Sequence, residues 1–227
     1  MTAFARAVWV ITRKDLLVEV RTREILFTTM FFALACVMVF AFGFVKEGRP
    51  VADAAAGILW ISIAFSGTLA LGRAFERERQ GETLRALLIA PIGRPALYVG
   101  KLGGILILLA AVEAIVVPLV ALMFQAALFD HPLLMFGLLA AGTIGYAAVG
   151  TLFAAMLVRA RSRDVMLPVL LYPITVPVII AGVRGTAALL QPEGGEPMAR
   201  AWLMMLVFFD VVFITLALWT FEPVMTE

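Results

Sequence analysis

The sequence predicts an all-α membrane protein with six transmembrane helices and both termini in the cytoplasm, and three observations carry that reading. The 227 residues are 63% hydrophobic and only 15% charged, with a mean hydropathy of +1.03, which excludes an ordinary water-soluble domain with a polar exterior. Six apolar runs each approach or exceed the roughly 20 residues needed to cross a hydrocarbon core about 30 Å thick. The Lys and Arg residues concentrate in alternate connections, which sets the direction of each crossing.

The runs fall at 25–45, 54–72, 102–124, 133–158, 165–183 and 201–221. None shows the period-two alternation of a barrel strand, and an open sheet edge is not tolerated in lipid, so each is a helix. The N-terminal segment carries Arg6, Arg13, Lys14, Arg21 and Arg23, the second connection Arg73, Arg77, Arg79, Arg85, Arg94 and Lys101, and the fourth Arg159, Arg161 and Arg163. The opposite side has only Lys46, Arg49, Arg184 and Arg200. The excess marks the cytoplasmic face.

Residues 1–24 precede the first span and are amphipathic. Ala5, Val8, Trp9, Leu16 and Val20 fall near one helical face, Arg6, Arg13, Lys14 and Arg21 lie away from it, and Glu19 and Arg23 form an i,i+4 pair. An interfacial helix with Trp9 at headgroup level fits this pattern; a basic leader serving only topology is the alternative. The first apolar run starts at Ile25 and is too long for a signal-peptide core, so it is expected to be an uncleaved anchor.

The connection 73–101 contains "FERERQGETLRALLIAPIGRP". Glu76 with Arg79 and Glu82 with Arg85 are i,i+3 pairs, Phe75, Leu84, Leu87 and Leu88 supply apolar contacts, Gly81 weakens the helix and Pro91 ends it. A helix–break–helix along the cytoplasmic surface follows, and a segment this long and this helical suits a partner-binding role. A solvated loop with charge pairs accounts for the same pattern. The fourth connection, "RARSRD" with Arg159, Arg161, Arg163 and Asp164, is a second docking point or an orientation signal.

Within the spans, Glu113 and Asp210 are the carboxylates deep in apolar runs. Intramembrane acids are costly and usually functional, so both are candidate pathway residues; interhelical hydrogen bonding is the plainer role. The fifth span, "VMLPVLLYPITVPVIIAG", carries Pro168, Tyr172, Pro173 and Pro177. Its prolines predict a kinked or broken helix, which lines a pathway or simply packs. Gly100 and Gly104 form a GxxxG pattern, and Gly142, Gly145 and Gly150 thin the fourth span, so close helix contacts are expected at both. The outer segment 184–200 reads as a loop or a turn re-entering the membrane.

Several chemistries are excluded or weak. Cys36 is the sole cysteine, which rules out an internal disulfide or a cysteine metal site. His131, the sole histidine, sits beside Pro132 in an outer turn, where a structural role outweighs haem ligation. "GRPALYVGKL" has the wrong glycine spacing for a phosphate loop and Leu102 where a hydroxyl is required. The chain is therefore not expected to be an enzyme, and ATP belongs to a partner. A net charge of +2 gives no reason to expect nucleic-acid binding. No repeat is visible, so one transmembrane domain covers 1–227.

"ERERQGETLRALLIAP" resembles the charged segment between the second and third spans of ABC-2-type (type V exporter-like) permeases. With "RKDLLVEVRTRE", "GILWISIAFSGTLALGRAF", "ALYVGKLGG" and "LPVLLYPITVPVIIAG", the chain is similar over nearly its whole length to the haem exporter protein B (CcmB) family of cytochrome c maturation. The resemblance implies a multi-pass permease subunit in the bacterial inner membrane, a homodimer within a complex. It would pair with a cytoplasmic ABC ATPase (CcmA-like), a haem-handling membrane subunit (CcmC-like), a small single-span subunit (CcmD-like) and a periplasmic haem chaperone (CcmE-like). It implies that Phe75, Glu76, Glu78, Arg79, Glu82, Thr83, Leu84, Arg85, Leu87, Leu88 and Pro91 form the coupling helix that docks on the ATPase. Haem is a candidate substrate; no residue set here forms a haem site. An ABC-2 exporter of a drug, lipid or glycan, or a non-transporting scaffold for an ATPase, shares the architecture.

Overall fold

Seven helices form in a computed structural model that describes residues 3–46, 49–51, 54–75, 93–158, 160, 162–191 and 195–226. They are α1 (Ala3–Thr22), α2 (Glu24–Gly43), α3 (Ala55–Arg73), α4 (Arg94–Phe124), α5 (Pro132–Met156), α6 (Arg163–Leu189) and α7 (Gly195–Thr226). The last six are long and apolar enough to cross a membrane, so the chain is an all-α integral membrane protein. A two-residue antiparallel ladder, Val45–Lys46 against Arg49–Pro50, lies between α2 and α3.

The spans match their expected positions, with three extensions, of which the last is α7, which runs from Gly195 to Thr226 rather than 201–221. α4 begins at Arg94 rather than near 102, with Pro95 in its first turn, where a missing N–H costs nothing. Its added turns bury Ala96, Leu97, Tyr98 and Lys101. α6 runs on to Leu189, so the first residues of the outer segment 184–200, expected to be a loop or a re-entrant turn, are the helix's last turns. α6 is also one continuous helix through Pro168, Pro173 and Pro177, not a broken one.

α3 sits centrally, packed on α2, α4, α5 and α6, and is the most buried span; α7 is the least. α2 shows how one face is chosen: Thr29, Ala33, Val37 and Ala41, at four-residue spacing, are buried, while Phe27, Phe31, Val39 and Phe42 are exposed. Small residues on the inner ridge let helices approach, and the large ones face lipid.

Arg23 separates α1 from α2 in a left-handed conformation, φ 54°, which costs a side-chain-bearing residue roughly 1–2 kcal/mol. Glu19 offsets it: its carbonyl accepts from Arg23 N–H at 2.6 Å, and its Oε1 accepts from Leu26 N–H at 2.8 Å. The bend sends α1 across α4 rather than along α2. Ile11 and Thr12 are the buried residues of α1. Trp9 (57% exposed) and Val20 therefore share the outer face with exposed Arg6, Arg13 and Arg21, instead of opposing them as the helical pattern predicts.

Candidate functional site

The C-terminal end of α3 leads toward the charged segment and is gripped from three sides. A helix C-terminus presents unpaired carbonyls and a partial negative charge, which a cation satisfies. Lys101, 3% exposed, donates from Nζ to the Ala74 carbonyl at 3.0 Å. The same Nζ lies 3.0 Å from Asp15 Oδ2 of α1 and 5.1 Å above the Phe75 ring, which is fully buried. Arg163, 4% exposed, donates to the Gly72 carbonyl from the start of α6. Arg73 pairs with Glu24 of α2 at 3.0 Å. Residues 72–75 are thus bonded to α2, α4 and α6 at once, and through Lys101 they are linked to Asp15 of α1.

α1 reaches this junction because α4 has glycine where it crosses. Ile11 lies against Gly100 and Thr12 against Gly103, and Thr12 Oγ1 donates to the Gly100 carbonyl at 2.9 Å. The close contact expected at the Gly100/Gly104 pattern is therefore with α1. It brings Asp15 over Gly104, beside Lys101.

Deeper in the bundle, the Trp60 indole occupies a slot made by Gly142 of α5 and Gly182 of α6. Its Nε1 donates to Thr186 Oγ1 at 3.0 Å, as a buried indole N–H requires. A second polar node joins the same three helices: the Thr68 hydroxyl lies 2.7 Å from Tyr146 Oη and 3.0 Å from Tyr172 Oη. Tyr146 donates to the Ala64 carbonyl at 2.6 Å.

The two intramembrane acids are on different interfaces. Glu113 of α4 accepts a hydrogen bond from Thr143 of α5 and lines a groove of about 560 Å³ between those helices. Asp210 of α7 is buried against Gly145 of α5, and its Oδ1 has no hydrogen-bond partner among the described residues. Neither Asp210 nor Tyr172, Pro168, Pro173 or Pro177 lines the Glu113 groove. The candidate pathway residues are thus not gathered into one site. Among the described residues, no three His, Cys, Asp or Glu side chains gather as a metal ion requires.

Of the coupling residues, Phe75 is placed at the junction; Glu76, Glu78, Arg79, Glu82, Thr83, Leu84, Arg85, Leu87, Leu88 and Pro91 lie outside the described residues, as do Arg159 and Arg161. Arg163 is an interior residue bonded to α3 rather than an exposed docking cation, while its neighbour Asp164 is exposed. His131 Nδ1 lies 3.1 Å from Glu196 Oε1, which ties the α4–α5 turn to the start of α7. Sequence reasoning missed Lys101 and Asp15 as a pair: each reads as ordinary interfacial charge, and only the tertiary crossing at Gly100 joins them. One signal was available, a lysine directly inside a glycine-rich helix-contact pattern. "GRPALYVGKL" is the first turns of α4, a packed helix rather than a loop.

A profile of the CcmB protein family matches residues 6–225. The chain is 30% identical over 192 residues to heme exporter protein B of Paracoccus denitrificans, covering 83% of both chains. It is 29% identical over 153 residues to heme exporter protein B of Rhodobacter capsulatus, covering 67% of this chain and 70% of that one. The same protein of Escherichia coli K12 matches at 30% over 93 residues, 41% of this chain and 42% of the relative. A match across all six spans, reaching from within α1 to the end of α7, leaves no part of the architecture outside the comparison, and the chain belongs to the CcmB protein family.

Proposed function

We propose that this chain is the inner-membrane permease subunit of an ATP-driven complex that supports haem export, or haem delivery to and release on a periplasmic haem chaperone, during cytochrome c maturation. The family supplies the class of function, since its members here are named heme exporter protein B. The observation that carries the mechanism is the junction at residues 72–75. The segment 76–92 is chained to a helix end that Lys101 bonds to α4 and Arg163 bonds to α6, with Asp15 of α1 paired to the same Lys101. A push from a cytoplasmic ATPase that arrives at residue 75 would therefore reach α4 and α6 directly and α1 through the Lys101–Asp15 pair. Glu76, Glu78, Arg79, Glu82 and Arg85 would set the docking on the ATPase, with Leu87 and Leu88 as its anchors. The ATP-binding subunit, the haem-handling and single-span membrane subunits and a second copy of this chain are the proposed partners.

The test is haem staining of membrane c-type cytochromes in a strain lacking the gene, with the haem content of the periplasmic chaperone measured in parallel. Loss of all c-type cytochromes, with haem stalled on or before the chaperone and rescue by the intact gene, is expected. Unchanged c-type cytochromes in a host with no second maturation system would overturn the reading and leave a general exporter.

A further inference from the structure

We propose that the groove between α4 and α5 is a binding site for a lipophilic cation, a molecule with an apolar body and a protonated amine, entering sideways from the bilayer. The proposal stands on the groove alone and is independent of the transport function above.

α4 supplies Leu106, Ala110, Ala114 and Pro118, spaced by four along one face, and the two alanines leave the space. Ala110, Ala114, Pro118 and Phe136 are exposed, so the groove opens outward rather than into the bundle. Its volume of about 560 Å³ falls within the ~300–1,000 Å³ of small-molecule sites. Among the described residues, Glu113 and Thr143 are the only polar side chains that line it, and no Lys or Arg does. The Thr143 hydroxyl spends its one proton on Glu113 Oε1. Pro118 has no N–H to give the Ala114 carbonyl, which leaves a second acceptor on the same wall.

The Glu113 carboxylate oxygens and the Ala114 carbonyl are acceptors, and the charged form of Glu113 is expensive in hydrocarbon unless a partner brings a cation. An ammonium group meets both needs: it neutralises Glu113 and donates to the remaining oxygens. A neutral acyl chain gains only apolar contact. An anionic amphiphile, including a tetrapyrrole led by its propionates, brings a second acid and no cation to balance either charge.

The experiment uses the full chain in nanodiscs and a long-chain primary amine carrying a photoactivatable diazirine, with labelled peptides mapped by mass spectrometry. Label is expected on the α4 and α5 peptides that include Ala110, Ala114 and Phe136, displaced by dodecylamine but not by dodecanol or dodecanoate. Glu113→Gln should lower labelling about tenfold or more, the worth of a charged hydrogen bond, and Ala114→Leu should block it by filling the groove with Glu113 intact. Equal displacement by dodecanol would mean occupation by any acyl chain and would overturn the proposal, as would displacement by dodecanoate alone or full labelling in Glu113→Gln. The competition series needs no variant, so it decides even if Glu113→Gln fails to fold.

Discussion

A Cβ placed on Gly142 or Gly182 would fall inside the Trp60 indole, so each of these residues is glycine for the same neighbour. The indole is fully enclosed and its one donor is used on Thr186, so displacing the ring works against both its packing and that hydrogen bond. Gly142→Ala and Gly182→Ala are therefore each expected to destabilise the protein by about 1–3 kcal/mol, the usual cost of overpacking. Thermal unfolding in detergent reads this as a lowered midpoint. Replacing Trp60 by Leu in the Gly142→Ala background should recover part of the loss, because the methyl then occupies space the indole vacates. Unchanged midpoints in both glycine variants would show that Trp60 has room to move and is not a fixed wedge. The Thr68, Tyr146 and Tyr172 hydroxyls act on the same three helices, so the α3–α5–α6 contact is held by two polar nodes rather than by apolar fit alone.

At the scale of the element, α3 has an apolar body and a charged lower end, and the two are stabilised differently. The body is buried by small residues on its neighbours. The lower end depends on cations withdrawn from solvent, which is favourable only while each is paired. Removing Lys101 leaves Asp15 without its cross-helix partner and the Ala74 carbonyl without its donor. Lys101→Met is expected to cost about 3 kcal/mol, in the range for breaking a buried pair, and Asp15→Asn a similar amount. The double variant should cost clearly less than the two added together, because a second removal strands nothing further. Denaturation of the three variants in micelles measures this. Additive losses would show that Asp15 and Lys101 stabilise separate contacts. α1 depends on this pair as much as α3 does, since Asp15 with Thr12 forms its polar link to α4.

For the whole molecule, the number and order of the crossings were legible because a span is decided by the length of an apolar run, a property of local sequence. The early start of α4 was not, because Arg94 and Lys101 look like connection charges; Lys101 belongs to the interior only through partners supplied by α1 and α3. Glu113 stood out as an acid in an apolar run, but whether it joins Asp210 depends on how α4 and α7 are rotated about α5, which spacing within one helix does not encode. The continuity of α6 through three prolines was likewise hidden, since neighbouring helices decide whether a weakened helix breaks. What the structure and the charge pattern share is a division into two ends. The junction of Asp15, Ala74, Lys101 and Arg163 lies at one, with Tyr98 packed on Phe221 at 5.3 Å. His131 and Glu196 meet at the other. The Lys and Arg excess places the first end in the cytoplasm, and this makes an orientation prediction that the sole cysteine renders clean. In a Cys36→Ala background, Asp130→Cys and Ser162→Cys each put one thiol at an exposed position, at opposite ends. A membrane-impermeant maleimide added to spheroplasts should label Asp130→Cys at once and Ser162→Cys only after the membrane is opened. The reverse pattern would turn the molecule over and put segment 76–92 out of reach of any cytoplasmic ATPase, so the same measurement decides whether the junction at α3 can do the work assigned to it.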